Sequence, residues 1–223
     1  KWGYFPGVSA RWNISDENFF KPLKKYISML AFRPGYGITG LASFGEGLIY
    51  NQYSSYNSYN GTTAIRPTNL RLTDIRWEKS KQLNLGVNLN LFDDLLRFDF
   101  NYYNKKTTDL INSNVSVPST SGFSALSSAN VGSLKNEGWE LYVTTGDIVK
   151  IGKFKMNVRF NMAQNIGTVT SMDASVLNAT NKDFNYASGN QLILSRIQIG
   201  HSLGAIYGFR YKGVYAYDYK HNG

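Results

Sequence analysis

From Gln82 to Leu91 the chain alternates without a fault. Leu83, Leu85, Val87, Leu89 and Leu91 take every second position, and Gln82, Asn84, Gly86, Asn88 and Asn90 lie between them. Side chains on a strand point to opposite faces with a period of two, so one face here is wholly apolar and the other polar but uncharged. A tilted strand of about 9–11 residues crosses the bilayer hydrocarbon, and apolar-out, polar-in alternation marks a transmembrane barrel. A strand of a soluble sandwich also alternates, so the neighbouring strands decide between the two.

Val8, Ala10, Trp12 and Ile14 alternate with Ser9, Arg11 and Asn13 in a first strand, broken by Ser15-Asp16-Glu17-Asn18. Tyr26 to Arg33 makes a second, ending in a bulge or stopping at Pro34, because proline cannot donate to a ladder. Residues 41–67 are rich in Gly, Ser, Asn and Tyr and read as a long loop with room for a short hairpin. A third strand runs from about Ile75 to Leu91, and Phe92-Asp93-Asp94 is a tight turn. Leu96, Phe98, Phe100 and Tyr102 then alternate with Arg97, Asp99, Asn101 and Tyr103, which predicts an antiparallel hairpin. Residues 104–130 read as a Ser-, Thr- and Asn-rich loop. Trp139, Leu141 and Val143 carry a fifth strand, and Phe154, Met156, Val158, Phe160 and Met162 a sixth. After polar residues 167–190, residues 191–217 hold one or two further strands whose register the glycines leave open.

The connections alternate short and long. Outer-membrane barrels have short periplasmic turns and long extracellular loops, so the turns near 16–24, 92–94 and 145–153 are expected on the periplasmic side. The stretches 41–70, 104–130 and 167–190 are expected to face outward. The polar positions agree. Arg97, Asp99, Asn101, Lys155, Asn157, Arg159 and Asn161 would project into a hydrated interior. On the lipid face near the midplane each Lys or Arg would cost about 2–4 kcal/mol. Trp12, Trp139, Tyr102 and Phe154 fall near strand ends, where girdle aromatics sit.

Composition narrows the picture further. No run approaches 18 consecutive apolar residues, which excludes a transmembrane helix and leaves a barrel untouched. The 16 Tyr suit two aromatic girdles. The absence of Cys removes a disulfide scaffold, thiolate metal sites and Cys nucleophiles. With His201 and His221 the whole histidine complement, a histidine metal cluster is not expected. The formal charge of +9 is spread along the chain, with no basic run longer than two residues, so nucleic acid is not the expected partner. Lys1-Trp2-Gly3-Tyr4-Phe5 lacks the apolar run of a signal peptide, which predicts a start that is processed or lies upstream.

Several segments, in order, are familiar. They are Phe5-Pro6-Gly7-Val8-Ser9-Ala10 with Ile14-Ser15-Asp16-Glu17; Tyr36-Gly37-Ile38-Thr39-Gly40; Arg66-Pro67-Thr68-Asn69-Leu70-Arg71 through Ile75-Arg76-Trp77-Glu78-Lys79; Phe100-Asn101-Tyr102-Tyr103-Asn104-Lys105-Lys106-Thr107 with Asp109-Leu110; Pro118-Ser119-Thr120-Ser121-Gly122-Phe123; Asn130-Val131-Gly132-Ser133 with Asn136-Glu137-Gly138-Trp139-Glu140-Leu141; and Ile206-Tyr207-Gly208-Phe209-Arg210-Tyr211-Lys212-Gly213-Val214-Tyr215. In this series the chain resembles the SusC/RagA family of TonB-linked outer-membrane transporters. It departs from the family at Pro34, at Arg66-Pro67-Thr68 and at His201-Ser202-Leu203-Gly204.

The resemblance implies an all-β fold in which residues 1–223 form part of a plugged antiparallel barrel of roughly 22 strands, the plug and the final strands lying outside them. Six to eight strands cannot close so wide a lumen. It further implies a Gram-negative outer membrane, a SusD-like surface lipoprotein as lid, and a TonB–ExbB–ExbD complex acting through an N-terminal region. The cargo implied is an oligosaccharide or a peptide, and no cofactor is implied.

No catalytic constellation stands out, and no enzyme is expected. Asp93-Asp94 sits in a tight turn, where Asp serves local hydrogen bonds, and adjacent strand residues point apart. Gly35-Tyr36-Gly37-Ile38-Thr39-Gly40 has no following helix to complete a phosphate cradle. His201 reads as a loop or lumen residue. Tyr50, Tyr53, Tyr56 and Tyr59 recur every three residues among amides and hydroxyls. Tyr53, Tyr56 and Tyr59 are the candidate substrate contacts, able to stack on sugar rings or engage peptide side chains; packing of the loop against itself or against a partner is the alternative. Two other classes compete with import: a passive porin or adhesin barrel, and a soluble glycan-binding sandwich.

Overall fold

The computed structural model describes residues 2–43, 45–117, 119–123, 125–181, 193–208 and 210–214. Its elements are β1 (Gly7–Ser9), β2 (Trp12–Asn13), β3 (Ile27–Leu41), β4 (Tyr53–Tyr59), β5 (Thr62–Pro67), β6 (Glu78–Leu91), β7 (Leu96–Ser116), β8 (Ala125–Thr145), β9 (Val149–Ile151), β10 (Phe154–Met156), β11 (Arg159–Met172), helix α1 (Ala174–Thr180), β12 (Ile193–Arg196) and β13 (Ala205–Gly208). Short 3-10 turns at Ile14–Asp16 and Asn18–Leu23 join β2 to β3.

One seven-stranded antiparallel sheet holds β1 and β2 on β3, then β6, β7, β8 and β11 in order. The pairs β4–β5, β9–β10 and β12–β13 are separate hairpins. Among the described residues the sheet stays open, with β1 and β2 at one edge and β11 at the other. Antiparallel order puts the connections after β2, β6 and β8 at one end and those after β3, β7 and β11 at the other.

The register turns the sequence alternation into two surfaces. Phe32, Val87, Phe100, Leu141 and Met162 are successive cross-strand partners, and so are Leu30, Leu89, Phe98, Val143 and Phe160. The intervening rows run Arg33, Gly86, Asn101, Glu140 and Ala31, Asn88, Asp99, Tyr142, Asn161. A sheet with one face greasy and the other hydrated follows directly from period two. On β11 the apolar stripe is bare, with Phe160 54% and Met162 48% exposed.

Pro34 neither ends β3 nor bulges it, contrary to the expectation from sequence. Pro34 pairs with Leu85 inside an unbroken ladder from Met29 to Leu41. The reason is direction. The Ala10 amide donates to the Pro34 carbonyl at 3.0 Å, so the proline nitrogen faces the β1–β2 edge, away from β6. The missing return bond falls at Ala10 and Arg11, where the first predicted strand is split in two. The irregularity in β3 lies instead between Ile27 and Met29.

The connections expected to face outward are also shorter than their polar composition predicts. Residues 104–130 are mostly ladder: β7 runs on to Ser116 and β8 begins at Ala125. Residues 167–172 extend β11, and α1 follows. Residues 182–192 and 215–223 lie outside the described residues, as does Pro118 of the familiar segments. The third strand starts at Glu78 instead of Ile75, and the 145–153 turn carries β9 and half of its hairpin. Polar composition does not distinguish a loop from a ladder wetted on both faces, because such a ladder needs no apolar stripe.

Candidate functional site

Two surfaces gather the polar chemistry. The first is the polar face of the wall. Arg33 reaches across β6 and donates through Nη2 to Asp99 Oδ1 at 2.9 Å and Asn101 Oδ1 at 3.2 Å. Asn88 donates to Asp99 Oδ2 at 2.8 Å, and Asn101 Nδ2 to Asp99 Oδ1 at 2.7 Å. Gly86 makes this possible: a Cβ there would stand 3.0 Å from Asn101 Oδ1 and 3.1 Å from the Arg33 guanidinium. Charge is thus neutralised locally across three strands. Because the pair is about a third exposed, its ionic part is worth little beyond the hydrogen bonds. A cleft of about 430 Å³ opens beside it, lined by Ser9, Arg11, Arg33, Asn84, Gly86 and Asn101.

The second surface is a collar at the long-connection end. There the β7–β8 ladder slips twice, between Thr107 and Leu110 and between Leu110 and Ile111. Asp109 takes a left-handed φ of 56° in the first slip, and Val131 drops out of the ladder in the second, between Gly132 and Asn130. Such paired bulges free backbone groups, which must find partners. The Ile111 amide donates to Glu78 Oε1 at 2.7 Å. The Val131 carbonyl accepts from the Asp173 amide at 2.6 Å, which fixes the start of α1. Asn130 Nδ2 donates to the Asp109 carbonyl at 2.7 Å and the Arg76 carbonyl at 2.9 Å, while its Oδ1 accepts from the Arg76 amide at 2.8 Å. Trp77 stacks on Phe5 at 5.5 Å, and the Phe5 ring lies where a Gly40 Cβ would be. The familiar segments around Trp77-Glu78, Asp109-Leu110 and Asn130-Val131 therefore meet at one joint. Clefts of about 490 Å³ and 310 Å³ flank it, and Asp109 and Asn130 line both.

The candidate tyrosines sit on the β4–β5 hairpin beyond this collar. Asn60 and Gly61, with φ of 49° and 77°, form its two-residue turn, as a hairpin of this twist requires. Asn69 clamps the base, accepting from the Gln52 amide at 2.9 Å and donating to the Tyr50 carbonyl at 3.2 Å. Tyr53 is 63% exposed and pairs with Pro67; Tyr56 is 49% exposed and pairs with Ala64. These two lie an odd number of positions apart before the slip at Asn57, so they occupy opposite faces. Tyr59 pairs with Thr62 beside the turn. The Arg66 guanidinium rests 4.3 Å above the Tyr56 ring, a contact the threefold spacing gave no hint of. The period of three thus puts the Tyr53 and Tyr56 rings on opposite faces of the hairpin instead of lining them up.

Asp93 and Asp94 are turn residues. Phe92, Asp93 and Asp94 all have positive φ, and Asp94 accepts from Asn90 at 2.6 Å and Ser28 at 3.3 Å, which ties the turn to β3. His201 places its carbonyl on the Val169 amide at 2.9 Å, covering the outer edge of β11. Among the described residues no group of acidic, His or Cys side chains could hold a metal ion.

Comparison with known proteins fits this geometry. The family model described as TonB dependent receptor-like, beta-barrel matches residues 1–223. TonB-dependent receptor P39 of Formosa agariphila is 36% identical over 220 residues, 97% of this chain and 19% of that protein. TonB-dependent receptor SusC of Bacteroides thetaiotaomicron is 28% identical over 238 residues, covering 100% of this chain and 22% of SusC. In the fold comparison, the RagAB peptide importer in its open-open state aligns with a TM-score of 0.70 at 24% identity, over 89% of this chain and 20% of that one. The chain thus spans about a fifth of the length of the relatives it matches.

Proposed function

The chain belongs to the TonB dependent receptor-like β-barrel family, of the SusC/RagA kind, and on that premise we propose that the protein containing it actively imports a nutrient across a Gram-negative outer membrane. The observation that carries this reading is the pairing of an uncovered apolar face with a hydrogen-bonded polar face through five successive strands. Hydrocarbon outside and water inside is the setting in which both faces are satisfied.

In this reading residues 1–223 supply part of the barrel wall, and the remaining wall, a plug and a TonB-contacting segment come from the rest of the protein. The Arg33–Asp99–Asn101 layer faces the lumen, where fixed, mutually neutral groups give a wetted wall without trapping a charged cargo. The collar and the β4–β5 hairpin face outward, toward a SusD-like lipoprotein lid. Tyr53, Tyr56 and Tyr59 contact the cargo, a glycan or a peptide, as it passes between lid and barrel. Energy comes from the TonB–ExbB–ExbD complex, so no side chain needs to act as nucleophile or base.

The test is uptake by cells carrying the whole protein as their sole route for a labelled oligosaccharide or peptide. Uptake that vanishes without TonB, or on collapse of the proton gradient, supports active import. Uptake that persists under both treatments identifies a passive pore and overturns the proposal. Tyr53→Ala with Tyr56→Ala is expected to raise the half-saturating concentration several-fold while leaving barrel assembly intact, since each aromatic stacking contact is worth about 0.5–1.5 kcal/mol.

A further inference from the structure

The apolar stripe of β11 does not stop where the wall stops. Met162 and Phe160 belong to the apolar face, and the same alternation runs back through Val158, Met156 and Phe154. The Thr145 amide donates to the Val158 carbonyl at 2.9 Å, and the Ile148 amide to the Met156 carbonyl at 2.9 Å. Three residues therefore advance on one side against two on the other, a bulge that bends the β9–β10 hairpin away from the line of the ladder. Gly152, with φ of 59°, opens the two-residue turn joining Ile151 to Phe154.

Two strands of three residues cannot bury a face of their own. Ile151, Phe154 and Met156 are accordingly 72%, 59% and 42% exposed. Lys153 occupies the turn, and Lys155 falls on the face opposite Phe154 and Met156. The Lys155 ammonium stands 3.7 Å from Asp147 with its side chain 65% exposed. A strip of apolar side chains continuous with a lipid-facing wall, rimmed by lysines, has the make-up of a segment lying in the headgroup–acyl boundary.

We propose that the β9–β10 hairpin is a membrane-surface foot. Ile151, Phe154 and Met156 enter the leaflet at the short-turn end of the barrel, and Lys153 and Lys155 meet the phosphates of anionic phospholipids. The foot rests on the outer-membrane barrel reading, and it adds a lipid contact beyond the hydrocarbon span of the wall.

The experiment uses the whole protein in nanodiscs of phosphatidylethanolamine and phosphatidylglycerol, with nitroxides at Ile151→Cys, Phe154→Cys and Val87→Cys; this chain has no cysteine to compete. Collisions with dissolved oxygen are compared with those of a water-soluble nickel chelate. The foot predicts that oxygen dominates at 151 and 154, at a depth shallower than at 87. Nickel collisions dominating at 151 and 154, with 87 still in hydrocarbon, overturn the foot and leave the barrel standing. Exclusion of both reagents at 151 and 154 means a protein occupant and overturns it equally. An aqueous 87 removes the barrel and the foot together. Lys153→Glu with Lys155→Glu is expected to lower the oxygen-to-nickel ratio at 151 several-fold in these discs and to leave it unchanged in purely zwitterionic ones. An unchanged ratio in both overturns the phosphate assignment.

Discussion

Strands β7 and β8 obey one rule along half their length and another along the rest. From Leu96 to Thr107 they pair with Thr145 back to Leu134 without a slip, and Phe98, Phe100 and Tyr102 share a face with Val143, Leu141 and Trp139. Beyond Thr107 the ladder slips twice, and the apolar residues change their target. Val115 and Val131 turn into a small core with Val176 of α1, joined by Leu126, Ala129, Met172 and Ile197. The changeover is marked by the Tyr102–Trp139 pair and then by Lys135 and Glu137, 2.7 Å apart, on the same face. The lesson is that the surroundings set the pattern. Where hydrocarbon lies on one side, alternation must be strict and register uniform; where water lies on both sides, the hairpin builds a core by breaking register.

The sharpest way to break this contrast is to place a charge on each part. Val87→Arg, in the middle of the apolar face, is expected to cost about 2–4 kcal/mol in lipid, read as a lower unfolding midpoint of the whole protein in bilayers or as failed assembly. Asn84→Arg, three residues away on the polar face, is expected to shift the same midpoint by well under 1 kcal/mol. Equal costs at the two positions would remove the distinction between the faces, and with it the barrel.

The joint between wall and projection is the next target. Asn130→Ala deletes three hydrogen bonds, to the Arg76 amide, the Arg76 carbonyl and the Asp109 carbonyl. The expected loss is about 1–3 kcal/mol of local stability. It should appear as faster amide exchange at Arg76, Ile111 and the start of α1, with protection from Val87 to Leu91 unchanged. Exchange rising equally in both regions would mean that wall and projection unfold as one unit.

This division also explains what could be read in advance. The wall was legible at Gln82–Leu91 and Leu96–Tyr103, because burial of one face in lipid leaves a period-two record in the residues themselves. The projection was not. Asn112 and Ser113 carry the same ladder as Phe98 and Asp99, yet with water on both sides nothing constrains their polarity. Asp109 leaves the ladder through a left-handed backbone and Val131 through a shift of register, neither of which composition signals. The joint announced itself only indirectly, as the Trp77-Glu78 and Asn130-Val131 segments that carry the family resemblance. Around the candidate tyrosines, the composition of residues 41–67 left room for a short hairpin but gave neither its place nor its faces, since one slip at Asn57 reassigns every position after it.

Pro34 offers a finer test of the uniform register in the wall. Pro34→Ala restores an amide directed at Ala10. The new hydrogen bond gains about 0.5–1.5 kcal/mol, and losing the ring's restriction of the unfolded chain costs about 0.4–1 kcal/mol. Net stability should move by less than about 1 kcal/mol, while a protected amide appears at position 34 and β1 and β2 join into one strand. A large loss would mean that the ring packs on the apolar face for reasons of shape, and that the split at Ala10 has another cause.

The smallest effect concerns the projection alone and depends on pH. Asp173 is the N-cap of α1. Its carboxylate accepts from the Ser175 hydroxyl and from the Ser175 amide at 2.8 Å, and these bonds, the hydroxyl foremost, hold its pKa below the usual carboxylate value against a slight opposing desolvation. A carboxyl whose folded pKa is depressed stabilises the fold fully above its unfolded value, about 3.9, and loses that contribution as pH falls through the lower folded value. Acidification from pH 5 toward pH 3 should therefore loosen α1 and raise exchange at Leu177, whose amide donates to the Asp173 carbonyl at 3.1 Å. Val87 and Leu89, with no titrating group in their rows, should not respond. Asp173→Asn keeps an acceptor but no charge, and it is expected to flatten the profile. A profile that survives the substitution would move the titration to another group and detach α1 from its cap.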